Sequence, residues 1–566
     1  MKALIVSLNA KYAHFAPAPY ALGAGVLAFS EQKHEVSIWT GVVGKDDEGV
    51  LTAIADLAPD AVAFSVYIWN VDDVKRLLPR VREILPHSAL ILGGPEVSYS
   101  VEKTFAQMPD ADYILSGEGE EPFARLLDAL VVGEGVSGVK GCAYRTENGV
   151  FVPEPFVGVG TPPSPLDFGY AEALHGRIAY IESSRGCPFS CAFCLSGRCG
   201  GVRYFDVDRV ERDILSLANA DTRTVKFVDR TFNADIARAQ RIIRFILSKR
   251  EEGKIPKGVC FHFEIAGELL DKDTLALLES APRGLFQLEI GLQSFHEKTL
   301  RAIHRAPVSD KLLENIKHLV AAGNLHVHID LIAGLPHEDL ATFRAGFDRA
   351  YALGAHMLQL GFLKFLHGAK MREEPENYPA KYAEDAPYTV RTTPVLSEFD
   401  LFVIAFCEEG CERLYNSGRY KETLKEALSD GASAFDLLRD AGKRLKALKT
   451  PYTLDDEIEA LLSFFAKHLS EDRARDTLLA DFLATNPSCY TPKALRREDE
   501  RLARVKLAVD GRFPKKKDVR RAYAISYTED VALYCDYDEK DPVTGRYHVR
   551  KVPLNDIFPL LEQPKM

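Results

Sequence analysis

The sequence predicts an α/β chain in three parts: an amino-terminal doubly wound sheet, a central partial (β/α)6 barrel and a mainly α-helical carboxyl-terminal domain. Three features lead there. Over the first 130 residues short apolar runs alternate with amphipathic stretches. Between Ile178 and Phe365 six strand-like runs recur, the first five each followed by a helical pattern. Beyond about residue 375 helical periodicity takes over.

The amino-terminal runs are Ala3 to Leu8, Glu35 to Trp39, Ala61 to Ile68, Ala89 to Leu92 and Tyr113 to Leu115. Continuous apolar character marks strands covered on both faces, as in a parallel sheet. Val71, Val74, Leu77, Leu78, Val81 and Leu85 between them recur at helical spacing. Ligands of such sheets bind beyond the carboxyl ends of the strands. Those ends carry Asn9 to Pro19, Ser65 to Asn70, Gly93-Gly94-Pro95-Glu96 and Gly117-Glu118-Gly119-Glu120, where the glycines allow close approach of backbone to a large ligand. His14, in the first of these loops, reads as a satisfied polar side chain. Residues 1–135 form this domain, and the proline-rich stretch within 136–175 reads as a linker.

The six later runs are Ile178 to Ser183, Thr224 to Val228, Val259 to Ile265, Leu285 to Gly291, Val327 to Ile332 and Met357 to Phe365. Successive strand and helix units imply a parallel, partly closed barrel over residues 176–375. In residues 376–566, Phe399 to Tyr415, Tyr420 to Leu428, Ser433 to Leu448, Leu454 to Leu469 and Arg473 to Leu483 are periodic as helices, ahead of a mixed tail.

With 46% apolar and 27% charged residues in 566, disorder of the whole is excluded. The net charge of −11 argues against a surface that is basic throughout. Residues Lys493 to Arg521 are the exception, with twelve basic side chains against five acidic ones, a hint of an anionic partner such as RNA set against an ordinary solvated face. No apolar run of membrane-spanning length and no leader pattern appears, so a cytoplasmic protein without membrane attachment is expected. Ten cysteines are too few for a disulfide scaffold. Cys407 and Cys411, one helical turn apart, read as buried core.

Three cysteines crowd into Arg185-Gly186-Cys187-Pro188-Phe189-Ser190-Cys191-Ala192-Phe193-Cys194, after the first barrel strand. Three thiolates round one loop can bind three irons of a four-iron cluster and leave the fourth iron open. Arg185 favours the thiolate form. A zinc site with Cys199 as fourth ligand, or buried core cysteines, are the alternatives at this point.

This loop, in this barrel context and with Phe193 before its last cysteine, resembles the radical S-adenosylmethionine (SAM) superfamily. The resemblance implies that Cys187, Cys191 and Cys194 are the catalytic metal ligands of a 4Fe-4S cluster. Its open iron chelates SAM, which is cleaved to a 5′-deoxyadenosyl radical with electrons from an external donor such as flavodoxin or ferredoxin. It further implies SAM-binding roles for Asp229 after the second strand, Glu264 on the third, Glu289, Gln293 and Arg305 in and beyond the fourth, and Gly334 and Pro336 after the fifth. Arg305 would meet the SAM carboxylate as a bidentate guanidinium.

A doubly wound domain ahead of such a barrel resembles the Rossmann-like cobalamin-binding module of the cobalamin-dependent class. The matching residues are Ser65, Asn70, Gly93, Gly94, Gly117, Glu118 and Gly119. An Asp-x-His-x-x-Gly signature is absent, which leaves the lower cobalt ligand open. The class implies methylation of an unactivated carbon of a small molecule or RNA through methylcobalamin. Radical rearrangement or oxidation without methyl transfer is the enzymatic alternative, and a cluster and cobalamin sensor with an anionic partner the non-enzymatic one. The carboxyl-terminal domain resembles an uncharacterised extension of this class and is expected to close over the barrel mouth.

Overall fold

The computed structural model describes residues 1–133, 135–198, 200–488 and 490–557. Its first sheet contains β1 (Lys2–Asn9), β2 (Glu35–Val42), β3 (Ala61–Ser65), β4 (Ala89–Gly93), β5 (Tyr113–Leu115), β6 (Cys142–Thr146) and β7 (Gly149–Phe151), in the order β2-β1-β3-β4-β5-β6-β7. The first five strands are parallel. Their side chains divide between two cores: Leu4, Val6 and Leu8 of β1 enter one, and Ala3 and Ile5 the other. That division is the reason β1 is apolar at consecutive positions from Ala3 to Val6.

The expected linker begins with structure of its own. β6 and β7 form a hairpin that adds antiparallel strands to β5, so the sheet extends to Phe151. Only Cys142 and Ala143 of this hairpin are fully buried, too few for a periodic signal.

The second sheet holds β8 (Ala179–Ile181), β11 (Thr224–Phe227), β12 (Cys260–Ile265), β13 (Phe286–Gln293), β14 (His326–Ala333) and β15 (Met357–Phe362). All are parallel and adjacent in chain order, and β8 and β15 are its two ends, which makes a partial barrel. Between β8 and β11 an antiparallel hairpin, β9 (Ser184–Cys187) with β10 (Gly201–Tyr204), forms the stem of the cysteine loop. The barrel's main helices start alike: Asp206, Asp235, Asp271, Ser309 and Asp339 each accept from the backbone N–H three residues on. On β13, Leu288, Ile290 and Leu292 are buried while Gln287, Glu289, Gly291 and Gln293 take the opposite, lumenal face.

The carboxyl-terminal domain is mainly helical and ends in a three-stranded antiparallel sheet, Arg521–Ser526, Val531–Asp536 and Val549–Pro553. Helices Glu398–Gly410 and Ala434–Lys446 touch at two glycines, where an added Cβ would lie 1.9 Å from the Leu438 carbonyl oxygen and 2.0 Å from that of Phe406. The π-helical turn Cys411–Asn416 that follows covers the exposed edge of β15. There the Asn416 amide accepts from Leu358 N (2.9 Å) and donates to Leu358 O (3.0 Å), replacing a missing neighbour strand. Cys407 and Cys411 are buried in this contact.

This domain therefore sits elsewhere than expected. Besides the β15 edge it covers the amino-terminal end of the barrel, where Arg283 pairs with Asp541 and Tyr415 donates to the Ala355 carbonyl. The stretch 377–395 reaches the carboxyl side, where Tyr378 and Val395 line a cavity with Gly334 and Pro336 and the Tyr388 hydroxyl donates to Glu96. The basic tract is also less free than its composition suggests. Arg497 pairs with Asp472 and Asp476, Arg501 with Asp499, Lys516 with Asp538, and Arg521 with Asp510 and Asp536. Among the described residues no helix is long and apolar enough to cross a membrane.

Candidate active site

The cysteine loop is fixed by its own backbone. Gly186 has a φ of +98°, Cys194 N donates to Cys191 O (3.1 Å), and Ala192 is tied by its N–H to Ile303 O and by its carbonyl to Met371 N. Cys187, Cys191 and Cys194 are free thiols, Cys191 buried and the others partly exposed. The Cys187 sulfur lies 3.5 Å from Thr231 Oγ1, and Arg305 Nη1 lies 3.9 Å from that of Cys191. Burial pushes the Cys191 thiol up, and the Arg305 guanidinium opposes it. Phe193 is partly buried against the barrel core. Cys199 lies outside the described residues.

Arg305 also donates to Gly291 O (2.8 Å), so one guanidinium joins β13 to the loop. The Gln293 amide fills the space left by Gly291, where an added Cβ would sit 2.2 Å from Gln293 Nε2. Gly334, with a φ of +91°, leaves no room for a side chain against Val390. Gly334 and Pro336 line a cavity of about 100 Å³ with Leu363, Phe365 and Met371.

Two expected SAM contacts have other partners. Asp229 is buried, and its carboxylate accepts from Ser183 N (2.9 Å), Ser183 Oγ (2.6 Å) and Ser184 Oγ (2.5 Å). It anchors the root of the cysteine loop, and burial pushes its carboxyl up to about 6. Glu289 accepts from Lys226 Nζ (3.2 Å) and pairs with His262 Nε2 (2.9 Å). Burial opposes its ionisation, yet these two partners hold the carboxyl down to about 2. Glu264 lies 3.7 Å from Lys226 Nζ, and burial raises its carboxyl. Asp330, on β14 beside Gly291 of β13, is half-buried with its Oδ1 shielded and unpartnered, and burial raises its carboxyl too.

Lys226, His262, Asp330 and Glu338 escaped the sequence reading. Glu338 is 1% exposed, accepts from Ser294 Oγ (2.6 Å), and is pushed up to about 7 by burial. The available signal was the alternation of polar residues within apolar strands, as in Phe261-His262-Phe263-Glu264.

The ligand edge of the first sheet faces this barrel. His14 Nδ1 lies 2.5 Å from the Tyr180 hydroxyl and Ile178 N donates to Ala13 O (2.9 Å). Glu118 and Glu120 each lie 2.6 Å from Arg185. Most residues picked out on this edge shape the loops themselves. Asn70 accepts from Tyr67 N and donates to Leu8 O and to Ser65 O, the backbone carbonyl of the Ser65 position. A Cβ at Gly94 would lie 2.3 Å from Val66 O, and one at Gly117 2.2 Å from Phe156 O. Gly119 abuts Leu22, and Gly93 has ordinary space. Tyr67 and Trp69 stack at 4.4 Å, with Trp69 45% exposed as an open aromatic face on the same edge.

Sequence comparison matches residues 181–349 to the radical SAM superfamily, 20–127 to the B12 binding domain, and 376–522 to a protein family of unknown function, DUF4080. Residues 181–349 are thus a radical SAM domain and residues 20–127 a B12-binding domain. The radical SAM domain implies a 4Fe-4S cluster and SAM, and the B12-binding domain implies cobalamin. Among relatives, the 2-(S-pantetheinyl)-carbapenam-3-carboxylate methyltransferase of Streptantibioticus cattleyicolor is 27% identical over 59% of this chain and 50% of its own length. The cobalamin-dependent radical SAM methyltransferase TokK of Streptomyces tokunonensis shares 27% over the same fractions. The chain thus spans about half the length of these curated relatives. The structure of OxsB with aqua-cobalamin and SAM bound superposes with a TM-score of 0.59 at 16% identity, covering 85% of this chain and 78% of that one, a likeness of fold.

The donor set of the cysteine loop, three free thiols within eight residues, suits a four-iron cluster, which bonds each thiolate to a different iron.

Proposed function

We propose that this radical SAM protein methylates an unactivated carbon of its substrate with cobalamin as the methyl carrier. The observation that carries the reading is the placement of the first sheet's ligand edge against the cysteine loop, through Arg185, His14 and Tyr180. When bound, the cluster supplies the electron that cleaves SAM and the corrin supplies the methyl group, chemistry that no side chain can perform.

The chain's own residues bind and orient. Cys187, Cys191 and Cys194 hold the cluster. Arg305, already beside Cys191, meets the SAM carboxylate. Gln293 and Glu264 face the ribose, and the Gly334 to Pro336 turn supports the adenine. Trp69 offers a flat apolar surface on the corrin side. An external one-electron donor such as flavodoxin or ferredoxin reduces the cluster.

The test is incubation of anaerobically reconstituted protein with cobalamin, reductant, methyl-labelled SAM and candidate substrates. S-adenosylhomocysteine formed together with 5′-deoxyadenosine is the expected result. 5′-Deoxyadenosine alone points to a radical reaction without methyl transfer. Neither product under any reductant points to a sensor and contradicts the proposal.

A further inference from the structure

Arg185 stands one residue before Gly186-Cys187, and its guanidinium is committed away from the cysteines. Nη1 donates to Glu118 (2.6 Å), Nη2 to Glu120 (2.6 Å) and Glu182 (2.8 Å), and Nε to both oxygens of Glu182 (3.1 Å). Glu118 lies in the loop after β5 and Glu120 is the first residue of the helix Glu120–Val132 that follows, at the ligand edge of the first sheet. Burial works against ionisation of Glu120, yet the Arg185 guanidinium keeps its carboxyl low.

A second arginine shares the contact. Arg203 on β10 lies directly opposite Arg185 in the antiparallel pair and donates to the same Glu118 oxygen (2.6 Å). Like charges directly opposed across a hairpin repel. In this stem Glu182 pairs with Arg185 from within the barrel segment, and Glu118 of the first sheet's edge is the carboxylate that bridges both guanidiniums. We propose that Arg185, with Arg203, is a positioning residue that clamps the stem of the cysteine loop to Glu118 and Glu120 and so sets the placement of the cluster relative to the corrin edge. The clamp rests on the cofactor assignment only for its purpose, since its contacts are within the chain.

The test uses the full chain with Glu118→Gln and Glu120→Gln together, isosteric changes that remove charge. In protein free of cofactors, amide exchange in 184–187, 201–204 and 116–120 rises about tenfold while the cores of both sheets are unaffected. Arg185→Lys, which keeps charge but loses the fork, gives a smaller rise at the same amides. After loading with iron, sulfide and cobalamin, Arg185→Lys, which leaves the residues of the corrin edge in place, binds each cofactor at wild-type stoichiometry. The magnetic coupling between reduced cluster and cob(II)alamin then broadens over a wider range of distances than in wild type. Should the double variant fail to fold, Glu118→Gln alone, which removes only the shared carboxylate, is read by the same exchange. Unchanged exchange together with an unchanged coupling spectrum overturns the clamp. If corrin does not bind wild-type protein, the cofactor assignment falls, and exchange alone decides the clamp.

Discussion

Alanine at Cys187, Cys191 and Cys194 together is expected to remove the brown iron–sulfur chromophore and to lower 5′-deoxyadenosine formation at least about a thousandfold, to background. A four-iron cluster bonds each thiolate to a different iron, so on the proposed assignment no other side chain of the loop would substitute. The backbone survives the change because the loop is held by hydrogen bonds from Ala192 and Cys194 and by the Asp229 carboxylate, none of which uses a sulfur. Iron and sulfide content, visible absorbance and product analysis of the variant check this, with far-ultraviolet circular dichroism reporting the retained fold. Cluster absorbance that persists in the triple variant would refute the ligand assignment.

Glu289→Gln is expected to lower the stability of the folded chain by about 3 kcal/mol at neutral pH. The folded-state carboxyl is held down to about 2 from an ordinary 4.5 by the His262 and Lys226 contacts, which outweigh burial. A depressed carboxyl stabilises the fold above its unfolded pKa, and that contribution disappears as pH falls from about 4.5 to about 2. The difference between wild type and variant should therefore be fully present at pH 7 and vanish in strong acid. Denaturant midpoints of the two proteins across that range measure it, and a pH-independent difference would remove the charge network as its cause.

The parallel strands were legible because both faces of β1 and β3 are buried, which leaves a continuous apolar run that local sequence displays. The cysteine loop was legible because its chemistry demands three like residues at short spacing. Long-range pairings were not. Glu118 and Arg185 are separated by 67 positions, and nothing in either neighbourhood specifies the other. Gly94 and Gly117 signalled close approach correctly, but the approaching atoms are the chain's own carbonyls at Val66 and Phe156. Asp229 was visible as a carboxylate at a strand end; that Ser183 and Ser184 occupy it depends on the register of β8 with β11. The carboxyl-terminal domain's attachment to the β15 edge through Asn416 has no local signature either, because an asparagine that mimics a strand looks like any helix-terminal asparagine.

The central claim is that three cysteines hold a cluster with one iron open to SAM. Anaerobic reconstitution followed by metal analysis and electron paramagnetic resonance of the reduced protein addresses it most directly. About four irons per chain, with a signal that shifts when SAM is added, is the predicted result. Zinc in place of iron, or an iron signal indifferent to SAM, would contradict it.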